Sequence, residues 1–234
     1  MNRDGLNPIA RPGSPAPSLR FAGIGALLCV ILAGCASTPS RPPGLSRGEG
    51  PLNVYAAAPF LSADVKRVVV LPLTGEEGRA ELIEGCESLE PVLLAELIKS
   101  KRFEAVCISP SELRFYSGRS SWSGNEALPP QFFDALHEAY GCDAVLFCEL
   151  TRFHAYAPLT VGWRMKLVET RTKQVLWASD EIFDAGRSEP GGLHRYWLWS
   201  EAPALSNSQW ELQNSPGSFG QYTLACLFAT LPAR

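Results

Sequence analysis

The sequence predicts a single α/β (α+β) domain, with helices packed on one mixed sheet. Strand-like and helix-like segments follow one another in the order β-α-β-α-β-β-β-α between residues 53 and 234. The first strand is a continuous apolar run, whereas a later strand alternates apolar and polar residues, so a buried part and a half-exposed part of one sheet are expected. With 46% hydrophobic and 19% charged residues in 234, the chain can fill one core.

The first half of the domain predicts strand, helix and strand. Lys66–Leu73 is β-branched and apolar, which is typical of a strand buried on both faces. A polar, glycine-containing loop follows at 74–78. Apolar residues at helical spacing then predict a helix over 79–101, which Pro91 is expected to kink or split. Residues 103–108 form the second predicted strand.

A loop and a helix come next. Residues 109–128 are polar and contain glycine, which predicts a long loop with at most one helical turn at 110–115. Pro129 and Pro130 then begin a helix that ends at Gly141.

The last predicted elements are an antiparallel meander and a terminal helix. Strands are expected at 143–150, at 161–167 and at 174–178, the second with one face in water. Residues 184–214 carry no regular pattern. Ser215 and the proline after it begin a helix that runs to the end of the chain.

The first 34 residues predict a cleaved signal peptide. Arg3, Arg11 and Arg20 precede an uncharged apolar run from Phe21 to Leu32. This run is too short for a transmembrane helix, which needs about 20 residues to cross roughly 30 Å of hydrocarbon. A basic start, a short apolar middle and small residues after it are typical of secretory signals.

The motif Leu32-Ala33-Gly34-Cys35 resembles the bacterial lipobox. The resemblance implies cleavage between Gly34 and Cys35, a diacylglyceryl group on the Cys35 thiol and a further acyl chain on its amine. Two or more acyl chains anchor a protein stably to a membrane. Ala36 follows the cysteine, and similarity to enterobacterial sorting implies the outer membrane, facing the periplasm. The alternative is an ordinary cleaved signal that contains a cysteine.

Residues 35–52 predict the lipidated cysteine and a flexible tether. Proline, serine and glycine predominate after Cys35, and little here can pack into a core. As a coil, such a tether spans on the order of 20–25 Å. The alternative is an ordered arm.

Four motifs carry a resemblance to a known superfamily: Val68-Val-Val-Leu-Pro-Leu73, Ser100-Lys-Arg-Phe103, Tyr140-Gly-Cys-Asp-Ala-Val-Leu146 and the hairpin from Leu167 to Trp177. The region from about 66 to 183 resembles the superfamily of the curli secretion lipoprotein, the amino-terminal domain of the Tol-system translocation protein and the lipoprotein activators of penicillin-binding proteins. These motifs encode strands, helices and turns. The resemblance therefore implies an envelope protein that binds other proteins and carries out no chemistry.

No motif in the chain predicts an enzyme or a cofactor. Gly118–Gly124 has the wrong spacing for a nucleophile elbow. The loop Thr74–Gly78 carries two carboxylates, which would repel a phosphate. A net charge of −3 leaves no basic footprint for nucleic acid. We therefore expect no catalytic residues, no cofactor and no nucleic-acid partner.

A soft metal site from His137, Cys142 and Cys148 is the one metal hypothesis that the sequence allows. The favoured interpretation places His137 on the wet face of a helix and Cys148 in a buried strand, with no metal. The mature chain has five more cysteines besides Cys35: Cys86, Cys107, Cys142, Cys148 and Cys226. All five are expected in apolar surroundings, as buried thiols rather than a disulfide framework, although the periplasm would permit one or two disulfides.

Aromatic residues outside the clearest elements are the candidate partner-binding residues. Tryptophan and tyrosine near arginines are typical of interface anchors, and Arg119 and Arg195 are close in sequence. The alternative is that these rings cover the open edge of the sheet as a satellite core. The candidates are Trp122, Tyr196, Trp197, Trp199 and Trp210.

The leading functional hypothesis is a non-enzymatic lipoprotein whose periplasmic domain binds an envelope protein, such as a cell-wall synthase, a secretion complex or a surface-assembly machine. An oligomeric, pore-forming secretion subunit is the alternative, although the 109–128 segment lacks the alternation of a barrel wall. A periplasmic hydrolase ranks third. The oligomeric state stays open.

Overall fold

Strands and helices alternate through most of the chain in the computed structural model, which describes residues 53–186 and 214–234. The strands are β1 (Val54–Ala56), β2 (Arg67–Val70), β3 (Thr74–Gly75), β4 (Glu104–Cys107), β5 (Ala144–His154), β6 (Thr160–Glu169) and β7 (Val175–Asp184). The helices are α1 (Ala80–Ser100), α2 (Pro110–Ser117), α3 (Phe132–Tyr140) and α4 (Pro216–Phe228). Within these two ranges, no helix has the length and apolar character that crossing a membrane requires.

The strands form one mixed sheet in the order β1-β7-β6-β5-β2-β4, with β3 beside β5. Strand β2 runs parallel to both β4 and β5. Strands β5, β6 and β7 form an antiparallel meander, and β1 adds to β7 antiparallel. The predicted α+β class, the single mixed sheet and the meander are therefore confirmed.

Helices α1 and α4 cover one face of the sheet. Leu82, Leu89 and Leu93 of α1 are buried against the sheet side chains, among them Trp163 and Trp177. The indole N–H of Trp163 donates to Thr223 Oγ1 of α4 at 2.8 Å. Trp163 and Trp177 are both fully buried in this layer, and aromatic side chains bury about 150–250 Å² each.

Helices α2 and α3 cover only part of the opposite face. Leu113 of α2 and Phe132 of α3 pack over Val69, Val145 and Phe147 of the parallel strands. Every second residue of β5, β6 and β7 also lies on this side, because side chains alternate between the two faces of a strand. The polar ones beyond the cluster include Glu149, Arg164, Lys166 and Asp180. We call this part, which the two helices leave uncovered, the open face.

The structure corrects the prediction of a long loop at 109–128. Helix α2 occupies Pro110–Ser117, because Ser109 and Glu112 form a reciprocal capping box and Pro110 occupies the first turn. This Ser-Pro-Ser-Glu signal was present in the sequence. Helix α1 also continues through Pro91 and is not split. The short strands β1 and β3 were not predicted.

The carboxyl terminus is fastened to the segment that follows β1. The Leu61 N–H donates to the Ala233 carbonyl at 2.8 Å, and the Ala233 N–H donates to the Pro59 carbonyl at 3.0 Å. The Arg234 guanidinium donates to the carbonyls of Val65 and Arg102, each at 2.6 Å. We call these four bonds the terminal clamp.

Candidate partner-binding site

A cavity of about 430 Å³ opens at the open face of the sheet. Its walls come from three parts of the chain: the β3 loop, the segment between α2 and α3, and the middle of β5 and β6. Four carboxylates and two guanidinium groups line it, from Glu76, Glu77, Glu126, Glu149, Arg119 and Arg164.

Glu149 and Arg164 form the floor of the cavity. They are direct partners in the register of β5 and β6, and Arg164 Nη1 lies 3.1 Å from Glu149 Oε1. The second Glu149 oxygen accepts a hydrogen bond from Ser123 Oγ at 2.7 Å. Arg164 also faces Asp180 of β7, with Nε 2.8 Å from Oδ2. One cation is thus shared by two carboxylates.

The charge of Arg164 is secured by this arrangement. The hydrogen bond to Asp180 raises the pKa of Arg164, and the nearby charge of Glu149 raises it further. Arginine remains protonated at any ordinary pH in any case. The floor is therefore a fixed row of alternating charges, negative, positive and negative, across three neighbouring strands.

The segment between α2 and α3 forms one wall through Arg119, Trp122 and Glu126. Arg119 Nη1 lies 2.6 Å from Glu126 Oε2, and its guanidinium carbon lies 4.4 Å from the centre of the Trp122 ring. At this distance the guanidinium and the indole make a cation–π contact. The wall is therefore built by ion pairing and stacking within one short segment.

Trp122 is buried, which agrees with the alternative that the sequence left open for it, a ring that belongs to a core. Its side chain is only 6% exposed and packs edge-on against Phe132, with ring centres 5.7 Å apart. Its indole N–H donates to Ser117 Oγ at 2.8 Å. Trp122 thus belongs to the core under α3, and only one edge of it reaches the cavity. Its role in partner binding stays a prediction.

Lys166 fastens the same segment to the sheet. Its Nζ donates to the Gly124 carbonyl at 2.5 Å and to Asn125 Oδ1 at 2.8 Å. A Cβ on Gly124 would lie 3.3 Å from the Cβ atoms of Lys166 and Phe147, which explains the glycine at this crossing. The segment is thereby held close to β6.

A smaller cavity of about 170 Å³ continues along the open face toward β1. Asn53, Tyr55 and Lys166 contribute to its lining, and Arg164 borders both cavities. The Tyr55 ring is 55% exposed. Together the two cavities make a groove, which runs from the β3 loop to the edge strand β1.

The residues of the metal hypothesis lie where the favoured interpretation placed them. His137 is exposed on α3 and Cys148 is 1% exposed in β5. His137 Nδ1 lies 2.7 Å from the Cys142 carbonyl oxygen, which can only accept, so this nitrogen carries the proton. Within 53–186 and 214–234, no three side chains are grouped as a metal site requires.

Four of the five cysteines are shielded from solvent, and one is not. Cys142, Cys148 and Cys226 are buried and Cys86 is partly buried, whereas Cys107 is exposed on the edge strand β4. The expectation of apolar surroundings for all five is therefore wrong for Cys107, because β4 is an edge strand of the sheet within the part of the chain that the structure describes. Burial raises the pKa of Cys86 and of Cys142 to about 11.

Several predicted site residues lie outside the described residues. They are the cleavage and lipidation residues, Gly34 and Cys35, and the aromatic candidates Tyr196, Trp197, Trp199 and Trp210. Their roles stay predictions. The polar groups of the groove were not singled out from the sequence, although the alternation in 161–167 placed Arg164 and Lys166 on a wet face.

Comparison with protein-family profiles and with curated proteins gives no match. Solved structures do match. A PelC dodecamer from Paraburkholderia phytofirmans is 12% identical over 78% of this chain and 96% of that chain, with a TM-score of 0.46. The lipoprotein GNA1162 from Neisseria meningitidis is 18% identical over 61% of this chain and 97% of that chain, with a TM-score of 0.38.

A third match is the LpoB C-terminal domain from Escherichia coli, 16% identical over 51% of this chain and 82% of that chain, with a TM-score of 0.33. These proteins are what the chain is similar to, and the resemblance to the superfamily stays a prediction. At these identities and TM-scores the similarities carry no argument about activity, assembly or partners.

Proposed function

We propose that this chain is a non-enzymatic bacterial lipoprotein, anchored by lipid on Cys35 to the outer membrane and facing the periplasm. In this proposal, residues 35–52 are the tether and residues 53–234 bind an envelope protein. The lipobox resemblance of Leu32–Cys35 supports the anchor. The open face supports the binding role.

The main support for the binding role is the ion-paired floor of the groove. Both oxygens of Glu149 accept hydrogen bonds, and Arg164 is shared between Glu149 and Asp180. A carboxylate that acted as a general base or nucleophile would first have to break its ion pair and hydrogen bonds. Polar groups that are fixed in advance lose little freedom when a partner binds, so they suit recognition.

The experiment is site-specific photo-crosslinking of the full chain in its own cells. A photoreactive amino acid at Ser121, in the wall of the groove, is expected to capture one defined envelope protein. The same amino acid at Glu138, exposed on α3, is the matched control and is expected to capture much less of it.

The anchor is tested in the same cells by Cys35→Ser. Release of the protein from the membrane fraction is expected, together with weaker capture from Ser121. Equal capture from Ser121 and Glu138 would contradict a binding role for the groove. Retention of the Cys35→Ser variant in the membrane would contradict the lipid anchor, and stable rings of purified protein in detergent would favour the pore-forming alternative.

A further inference from the structure

We propose that the groove receives an extended, basic segment of the partner protein, with a lysine or arginine side chain in the larger cavity. This inference rests on the proposed function and specifies the chemistry of the partner. It is argued from the charge, shape and exposure of the groove.

The groove has the size of a binding site. Its larger cavity, about 430 Å³, falls within the range of roughly 300–1,000 Å³ that is usual for ligand sites. The smaller cavity, about 170 Å³, shares Arg164 with it in its lining. A chain that crosses Arg164 therefore contacts both cavities, which suits an extended segment better than a compact ligand.

Negative charge is in excess at the larger cavity. On the floor, Arg164 is shared by Glu149 and Asp180, and in the wall Arg119 is matched by Glu126 alone. The rim then adds Glu76 and Glu77, which are both exposed.

Among residues 53–186 and 214–234, the arginines closest to the rim are already paired with carboxylates. Glu76 faces Arg79 at 3.5 Å, but the same guanidinium lies 2.7 Å from Glu81. Each of these arginines is therefore paired with one or two carboxylates, so its positive charge is fully balanced. An incoming cation meets a favourable potential there, whereas an anion is repelled.

The smaller cavity, at the β1 end of the groove, differs from the larger one in the chemistry of its lining. Lys166 is bound to neutral acceptors, the Gly124 carbonyl and Asn125 Oδ1, and Tyr55 presents an exposed ring. This end suits an apolar or aromatic residue of the partner, because tyrosine is a frequent contact in interfaces. The groove thus distinguishes the two ends of a bound segment.

The test uses the full lipidated chain in detergent and three fluorescein-labelled peptides of equal length. One peptide carries two arginines and a leucine, the second replaces the arginines with glutamines, and the third replaces them with glutamates. Fluorescence anisotropy is expected to show binding of the arginine peptide only, with weaker binding as salt is added.

The rim carboxylates are tested with Glu76→Gln/Glu77→Gln. This double variant is expected to raise the Kd of the arginine peptide by roughly threefold to tenfold, as loss of two exposed charge contacts implies. The matched control is Glu84→Gln/Glu138→Gln, which removes the same charge from exposed positions outside the groove. It is expected to leave the Kd unchanged.

Equal binding of the arginine and glutamine peptides would overturn the inference, as would equal weakening by the two double variants. The proposed function can survive this result. If Ser121 still captures a defined partner in cells while the arginine peptide does not bind, the partner is recognised by other chemistry. If Ser121 captures nothing, the proposed function itself fails.

Discussion

Arg164 and Asp180 face each other across β6 and β7, with the guanidinium Nε 2.8 Å from the carboxylate Oδ2. The same guanidinium reaches Glu149 of β5 on its other side. One side chain therefore joins three neighbouring strands on the part of this face that α2 and α3 leave open. Its position makes it the first residue to test.

Arg164→Met is expected to destabilise the domain by about 1–2 kcal/mol, because it leaves the 18%-exposed Glu149 carboxylate without its cation. The expected loss of stability is small, because Arg164 itself is 36% exposed and solvent screens its charge. Urea unfolding followed by circular dichroism measures the change. Arg79→Met, which removes only exposed ion pairs, should stay within about 0.5 kcal/mol of the unaltered protein.

Helix α4 offers two glycines for a matched comparison. A Cβ on Gly220 would lie 2.6 Å from Leu89 Cδ2 of α1, whereas a Cβ on Gly217 meets nothing within 4 Å. Gly220→Ala is therefore expected to destabilise by about 1–3 kcal/mol through overpacking. Gly217→Ala is expected to stabilise by about 0.4–1 kcal/mol. Thermal unfolding measures the change in stability of both variants. Equal changes would mean that α1 and α4 do not pack closely at Gly220.

The cysteines are expected to differ in reactivity toward a maleimide. Cys107 is exposed and should be labelled in the folded protein, whereas Cys148 is buried and should be labelled only in denaturant. Burial, together with the charge of Glu90, raises the pKa of Cys107 above its ordinary value of 9.0, so its labelling should still accelerate as the pH rises past 9. Peptide mass spectrometry identifies the labelled sites. Labelling of Cys148 in the native protein would contradict its burial.

The capping box of α2 predicts a pH dependence. Ser109→Ala removes the helix cap and is expected to cost about 1 kcal/mol at pH 7. Hydrogen bonds from Ser109 lower the pKa of Glu112 below 4.5. A lowered carboxyl pKa stabilises the folded state above the unfolded pKa, and this contribution is lost as the pH falls through the folded value.

The difference between the unaltered protein and Ser109→Ala should therefore shrink in acid. Urea titrations at pH 7 and below pH 4 measure it. Ser120→Ala, at an exposed position beyond α2, is the control and should be neutral at both pH values. A difference that stays constant with pH would mean that the cap does not involve the Glu112 carboxylate.

The elements that depend on local pattern could be predicted from the sequence, and the groove could not. The apolar run of β2 and the alternation of β6 each follow from a few neighbouring residues. Ser109 and Glu112 also carried a local signal, which identifies α2. By contrast, the floor pair of Glu149 and Arg164 depends on strand register, and the cavity depends on how far α2 and α3 extend over the sheet.

Trp122 illustrates the same limit. Its neighbours in sequence are small and polar, and the sequence left open whether the ring is an interface anchor or part of a core. It packs against Phe132 of α3, and its indole N–H donates a hydrogen bond to Ser117 of α2. These contacts form only when the two helices are placed on the sheet, so the sequence alone could not decide between the two interpretations.

The terminal clamp has a mechanical consequence if the proposed tether pulls on the domain. A pull from the amino-terminal side reaches β1 first, and β1 pairs with β7 through three residues, flanked by hydrogen bonds of Asn53 and Ala57. Behind it, Pro59, Leu61 and Val65 are bonded to the last two residues of the chain. Under load, β1 should therefore peel away while the core stays intact, adding about 3.5 Å of slack for each residue released.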